Sequence, residues 1–94
     1  MSKYIIISKL TDEGGKTLKK NASRIKEVNK ELKTMGVKVI EQYAVLGNFD
    51  FLNIVEADNE MIVAKAVIEM ASRGTIRTET YTAMPIDEFI KSLE

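Results

Sequence analysis

Arg77, Glu79 and Tyr81 stand two residues apart in a stretch rich in Thr and β-branched residues, so an extended backbone projects all three from one face. Thr78, Thr80 and Thr82 take the opposite face. Together the first three residue types can perform chemistry. A guanidinium holds a carboxylate, a carboxylate whose pKa is raised by desolvation accepts a proton, and a phenol orients a polar ligand. Tyr43 offers a second phenol in another β-rich run. The more economical reading of Arg77 and Glu79 is an ion pair, with each other or across a seam between two copies, since buried charges are usually paired. Asp50, just past Gly47-Asn48, is read first as a cap for turn amides and second as a lone carboxylate at a pocket mouth.

Two other groupings carry less. Gly15-Lys16-Thr17 has the residues that end a phosphate-binding loop, but Leu10 stands where that loop needs its first Gly. Asp12 and Glu13 place negative charge where phosphates would approach, so a flexible turn with solvated lysines is the expectation. Lys65, Glu69 and Arg73 recur every four residues and read as exposed surface pairs.

What is missing narrows the chemistry further. The chain of 94 residues has no Cys, His or Trp, which removes disulfides, thiolate nucleophiles, cysteine–histidine zinc sites and imidazole catalysis. No metal or cofactor is expected. Fourteen basic residues balance fourteen acidic ones, and the lysines have no interleaved aromatic residues on which bases would stack, so neither nucleic acid nor a membrane surface is an expected partner. No run approaches the roughly 18 apolar residues of a membrane span, and the short apolar run Tyr4 to Ile7 lacks the flanks of a secretory signal. The expected location is the cytoplasm.

The elements that must position these residues follow from periodicity. Lys3 to Lys9 is aromatic and β-branched and reads as a strand, while Thr11 to Lys16, with its two adjacent glycines, reads as a loop or helical turn. Ala22, Ile25, Val28, Leu32 and Met35 recur at helical intervals, with Asn21 as N-cap and Gly36 just past the end. Val37 to Leu46 and Phe49 to Ala57 form a hairpin across Gly47-Asn48, which sets Leu46 opposite Phe49, Val45 opposite Asp50, Ala44 opposite Phe51 and Tyr43 opposite Leu52. A second helix over 60–73 is capped by Asp58 or Asn59 and stopped by Gly74. Thr75 to Met84 supplies a fourth strand, and Pro85 opens a short helix whose Ile86, Phe89, Ile90 and Leu93 share one side. So short a helix must dock on something.

The order β, α, β, β, α, β with a terminal helix predicts a single α+β domain over 1–94, a ferredoxin-like βαββαβ sandwich with an antiparallel four-stranded sheet. Its helices cover one sheet face, yet both parities of the strands are apolar: Tyr4 and Ile6 against Ile5 and Ile7, and Phe49, Phe51 and Val55 against Leu52 and Ile54. A bare apolar face of that size calls for a cover, and a second copy is the simplest one. The second helix has only Lys65, Glu69 and Arg73 as a polar stripe, so more than one of its sides is expected to be buried.

Leu46-Gly47-Asn48-Phe49-Asp50, followed by Phe51 and an apolar strand ending Val55-Glu56-Ala57-Asp58, resembles the signature of the GYD-domain family, named for a Gly-x-Tyr-Asp element. Leu10-Thr11-Asp12-Glu13-Gly14, Tyr43 and Arg77-Thr78-Glu79-Thr80 also fall where that family has similar segments, so the likeness spans nearly the whole chain. It departs at Phe49, which replaces the name-giving Tyr and removes its hydroxyl. The resemblance implies a dimeric α/β barrel, two sandwiches meeting through their sheets, and implies no established activity. A similar hairpin is found in the amino-acid-sensing domains of leucine-responsive regulators, though this chain has no DNA-binding segment. Other barrels of this architecture are cofactor-free monooxygenases or haem degraders, and a proximal His has no counterpart here. The expected function is therefore a homodimeric, or larger, binding or sensing module for a small organic ligand held near the sheet face or the dimer interface. Tyr43, Phe49, Asp50, Arg77, Glu79 and Tyr81 are its candidate contacts. The alternatives are a cofactor-independent enzyme built on Arg77, Glu79 and Tyr43, and a purely structural oligomer.

Overall fold

β-Branched and aromatic residues favour a pleated strand, and a computed structural model describing Met1–Glu94 places them in β1 (Ser2–Leu10). Tyr4, Ile6 and Ser8 are buried on one face, while Ile5 and Ile7 are half-buried on the other. Where the sequence allowed a loop or a helical turn, the chain forms a full helix, α1 (Asp12–Lys20). Thr11 explains the difference: its Oγ1 accepts the Gly14 N–H at 3.1 Å and donates to the Gly74 carbonyl at 2.8 Å. That cap, with Asp12 and Glu13 in the first turn and Lys19 and Lys20 in the last, outweighs the cost of two glycines. Gly15-Lys16-Thr17 thus lies inside a helix.

Asn21 is not the N-cap of the next helix. It closes α1, its N–H donating to the Thr17 carbonyl at 3.0 Å, and α2 (Arg24–Thr34) begins three residues later. Gly36, at φ +91°, takes the left-handed conformation that ends α2, and the Val37 N–H returns to the Leu32 carbonyl at 2.9 Å.

β2 (Lys38–Ala44) and β3 (Phe51–Ala57) pair antiparallel with Tyr43 opposite Leu52 and Ala44 opposite Phe51, as the sequence indicates. The tight turn is not formed. The Val45 N–H donates to the Asp50 carbonyl at 2.8 Å, so those two stay opposed and the loop between them is longer than two residues. Asp50 is also engaged with β1, its N–H donating to the Ser8 carbonyl at 2.8 Å and its Oδ2 accepting the Leu10 N–H at 2.8 Å. The bulge falls at the other end of the hairpin, between Val39 and Glu41, and leaves the Tyr43 register intact.

Asn59 caps α3 (Glu60–Ala71), its Oδ1 accepting the Ile62 N–H at 3.1 Å. β4 (Ile76–Ala83) and α4 (Ile86–Leu93) complete the chain. The four strands lie in the order β2-β3-β1-β4, with every neighbouring pair antiparallel, in a ferredoxin-like arrangement. A core of Tyr4, Ile6, Leu32, Val37, Val55, Ala57, Val63 and Ala66 fills the space between the sheet and α2 and α3. α4 makes no extensive packing with any other element, and its Ile86, Phe89, Ile90 and Leu93 are all exposed. The molecule measures 51 × 29 × 19 Å, and no helix in it is long and apolar enough to cross a membrane.

Candidate functional site on the open sheet face

Alternation from the buried Tyr4, Ile6 and Ser8 assigns Ile5 and Ile7 to the face that no helix covers. The pairings extend this assignment across the sheet. One row runs Tyr43, Leu52, Ile7, Glu79, and the next runs Glu41, Ile54, Ile5, Tyr81. An aliphatic square of Ile5, Ile7, Leu52 and Ile54 is therefore bracketed at both edges by a Tyr and a Glu. The two brackets run in opposite senses, so a two-fold axis normal to the sheet between β1 and β3 would exchange them.

The brackets are chemically alike as well. The Tyr43 hydroxyl donates to Glu41 Oε2 at 2.9 Å, and the Tyr81 hydroxyl donates to Glu79 Oε2 at 2.5 Å. In each pair the hydrogen bond to the carboxylate, and then the carboxylate's negative charge, raise the phenol above its ordinary pKa. Both tyrosines remain about half exposed, at 53% and 50%.

Six residues were singled out from the sequence, and the fold does not gather them around one point. Arg77, Glu79 and Tyr81 do share the open side of β4, opposite Lys9, Ile7 and Ile5. Tyr43 shares that face but stands on β2, three strand spacings away, about 14 Å. Phe49 and Asp50 are half-buried in the loop, and Asp50 is occupied with the backbone of β1, so the amide it caps belongs to a neighbouring strand and not to its own turn. Arg77 and Glu79 form no ion pair within the chain: Glu79 accepts from the Tyr81 hydroxyl instead. Glu79 is exposed in the single chain, so the desolvation that a general-base role requires would have to come from a cover over the open face.

A polar group of the other face was missed. Beneath α2, Asn29 Nδ2 donates to Gln42 Oε1 at 2.8 Å, Gln42 Nε2 donates to Asn53 Oδ1 at 2.8 Å, and Asn53 Nδ2 donates to the Ile6 carbonyl at 3.0 Å and to Ser8 Oγ at 3.4 Å. The signal for it was present, since Asn53 lies between Phe51 and Val55 on the core parity, where a polar side chain needs partners. Arg73 likewise does more than decorate the surface. It bridges α2 and α3 by donating to Glu31 Oε2, and that bond, together with the positive charges of Arg73 and Arg24, holds Glu31 below the usual carboxylate range.

Comparison with known proteins adds the following. The GYD domain profile matches residues 4–93. The chain belongs to the GYD-domain family. It is 50% identical over 95 residues to a Thermus thermophilus protein named glutamine synthetase and cystathionine beta-lyase binding protein, covering the full length of both. Among solved structures it is similar to TTHA0845 from Thermus thermophilus, at a TM-score of 0.59 and 18% identity, covering 90% of this chain and 95% of that one. It is also similar to FFRP-DM1, at a TM-score of 0.59 and 24% identity, covering 89% of this chain and all of the other. These two likenesses are of fold, and they match the sandwich described above.

Proposed function

We propose that this chain is a cytoplasmic, homodimeric binding module that docks on enzymes of amino-acid metabolism, with glutamine synthetase and cystathionine beta-lyase as its partners. The observation that carries this reading is the 50% identity, over the whole of both chains, to the relative named for binding those two enzymes. Three uncovered apolar surfaces support it. The aliphatic square on the sheet is suited to a second copy, and a C2 pairing of such faces buries on the order of 1,600 Å² in total. Met61 and Ile68 on α3, and the stripe along α4, remain exposed for a further protein. Between two facing sheets, Tyr43, Arg77, Glu79 and Tyr81 are the polar groups that a small organic ligand would meet.

Surface plasmon resonance with glutamine synthetase and cystathionine beta-lyase purified from this protein's own host tests the partner assignment. Saturable binding to at least one enzyme is expected. Binding to neither, by a folded sample, sinks the reading. Light scattering tests the dimer separately, with twice the 10.6 kDa chain mass as the expected result and the single mass as the contrary one.

A further inference from the structure

A cavity of about 180 Å³ lies on the opposite side of the sheet from the open face, between the strands and the helices α1 and α2. Ile6, Phe51 and Val55 form its floor, and Leu18, Ile25 and Val28 form its roof. At one end the walls become polar, through Asn29, Gln42, Asn53 and Ser8. Asn29 and Gln42 are bound reciprocally, Gln42 Nε2 also donates to Asn53 Oδ1, and Asn53 Nδ2 in turn reaches Ser8 Oγ, which accepts at 3.4 Å. Ser8 is 4% exposed, lines the cavity and donates to no protein acceptor, so its hydroxyl proton is left for something else.

We propose that this cavity binds a compact, neutral, mostly apolar organic molecule bearing one carbonyl or hydroxyl oxygen, which accepts from Ser8. Size sets the scale, since a dry apolar cavity of about 150 Å³ admits benzene, so this one takes roughly six to nine non-hydrogen atoms. Polarity favours an apolar occupant over ordered water, because each ordered water needs two to four polar partners and the lining offers them only at one end. Charge argues for neutrality. Arg24 and Arg73 border the space, but both are bound to Glu31, Arg24 also to Glu27 and Arg73 also to Glu69, so two cations already face three carboxylates. The site stands independently of the dimer and of any protein partner.

The test uses acetophenone, ethylbenzene and benzoate as probes, with amide chemical shifts of the full chain as the readout. Acetophenone is expected to move the amides of Ser8, Leu32, Phe51 and Asn53 and to bind roughly three- to tenfold more tightly than ethylbenzene, the worth of one neutral hydrogen bond. Benzoate should bind least. Ser8→Ala should erase the preference for acetophenone while ethylbenzene still binds, and Val28→Phe, which fills the space, should abolish both at an undiminished spectrum of folded amides. Three results overturn the proposal: shifts confined to the open face, tightest binding by benzoate, or a preference for acetophenone unchanged in Ser8→Ala.

Discussion

Tyr43 and Tyr81 each spend their hydroxyl proton on a carboxylate two residues earlier on the same strand. Losing that proton breaks a hydrogen bond and sets two negative charges side by side, which is why both phenols titrate above their ordinary range. The stabilisation that each pair contributes is fully present below the ordinary tyrosine pKa and is lost as pH rises through the raised one. Glu41→Gln and Glu79→Gln should each move one phenolate transition, followed by ultraviolet absorbance, to lower pH. Retention of the wild-type titration in both variants would refute the assigned cause. Asp50 shows what the sequence does and does not disclose at this scale. Its capping chemistry was legible from its residue type, whereas its target, the Leu10 amide 40 residues away, exists only once β1 and β3 are paired.

Among the elements, α1 makes the sharpest demands on its residues. A Cβ at Gly14 would stand 2.0 Å from the Thr75 carbonyl oxygen, whereas one at Gly15 would meet nothing within 4 Å. Gly14→Ala is therefore expected to destabilise the fold by about 1–3 kcal/mol or more through overpacking, and Gly15→Ala to stabilise it by about 1 kcal/mol through helix propensity. Urea denaturation of the two variants checks the opposite signs. Sequence alone could not tell these neighbours apart, because both read as breakers and the contact that separates them comes from the loop after α3. The strands were easier to recognise, since β1, β3 and β4 announce themselves by composition and their pairing follows from topology. α2 and α3 are tied together by Glu31, whose pKa is lowered chiefly by its hydrogen bond to Arg73. Such a group contributes stability above the ordinary carboxylate pKa and loses it as pH falls through the lowered value. Glu31→Gln should consequently flatten the acid limb of a stability–pH profile, and an unchanged limb would show that the bridge contributes nothing there.

For the molecule as a whole, the two-sided apolar pattern of the strands was readable in the residues alone, because alternation leaves no other place for Ile5, Ile7, Leu52 and Ile54 than the face away from the helices. What covers that face was not readable, nor was the cavity behind it, since a void depends on how far α1 and α2 stand from the sheet. If a second copy is the cover, Ile7→Lys should halve the mass seen by light scattering while circular dichroism remains that of the folded chain. A dimer that survives this change would move the interface elsewhere, with the stripe on α4 as the next surface to interrupt. α4 offers its own measurement: an eight-residue helix only weakly packed within its chain should exchange its amides rapidly at dilution and slowly once an assembly forms.

The matched corners of the sheet bear on orientation. A visitor seated on Ile5, Ile7, Leu52 and Ile54 meets a phenol and a carboxylate at each side, and it meets the same groups again after being spun through half a turn. The centre of this surface thus tells head from tail poorly. That choice falls to the ends of the strands, where Lys9 beside Arg77 gives one end two cations, while Glu56 lies between Lys38 and Lys3 at the other.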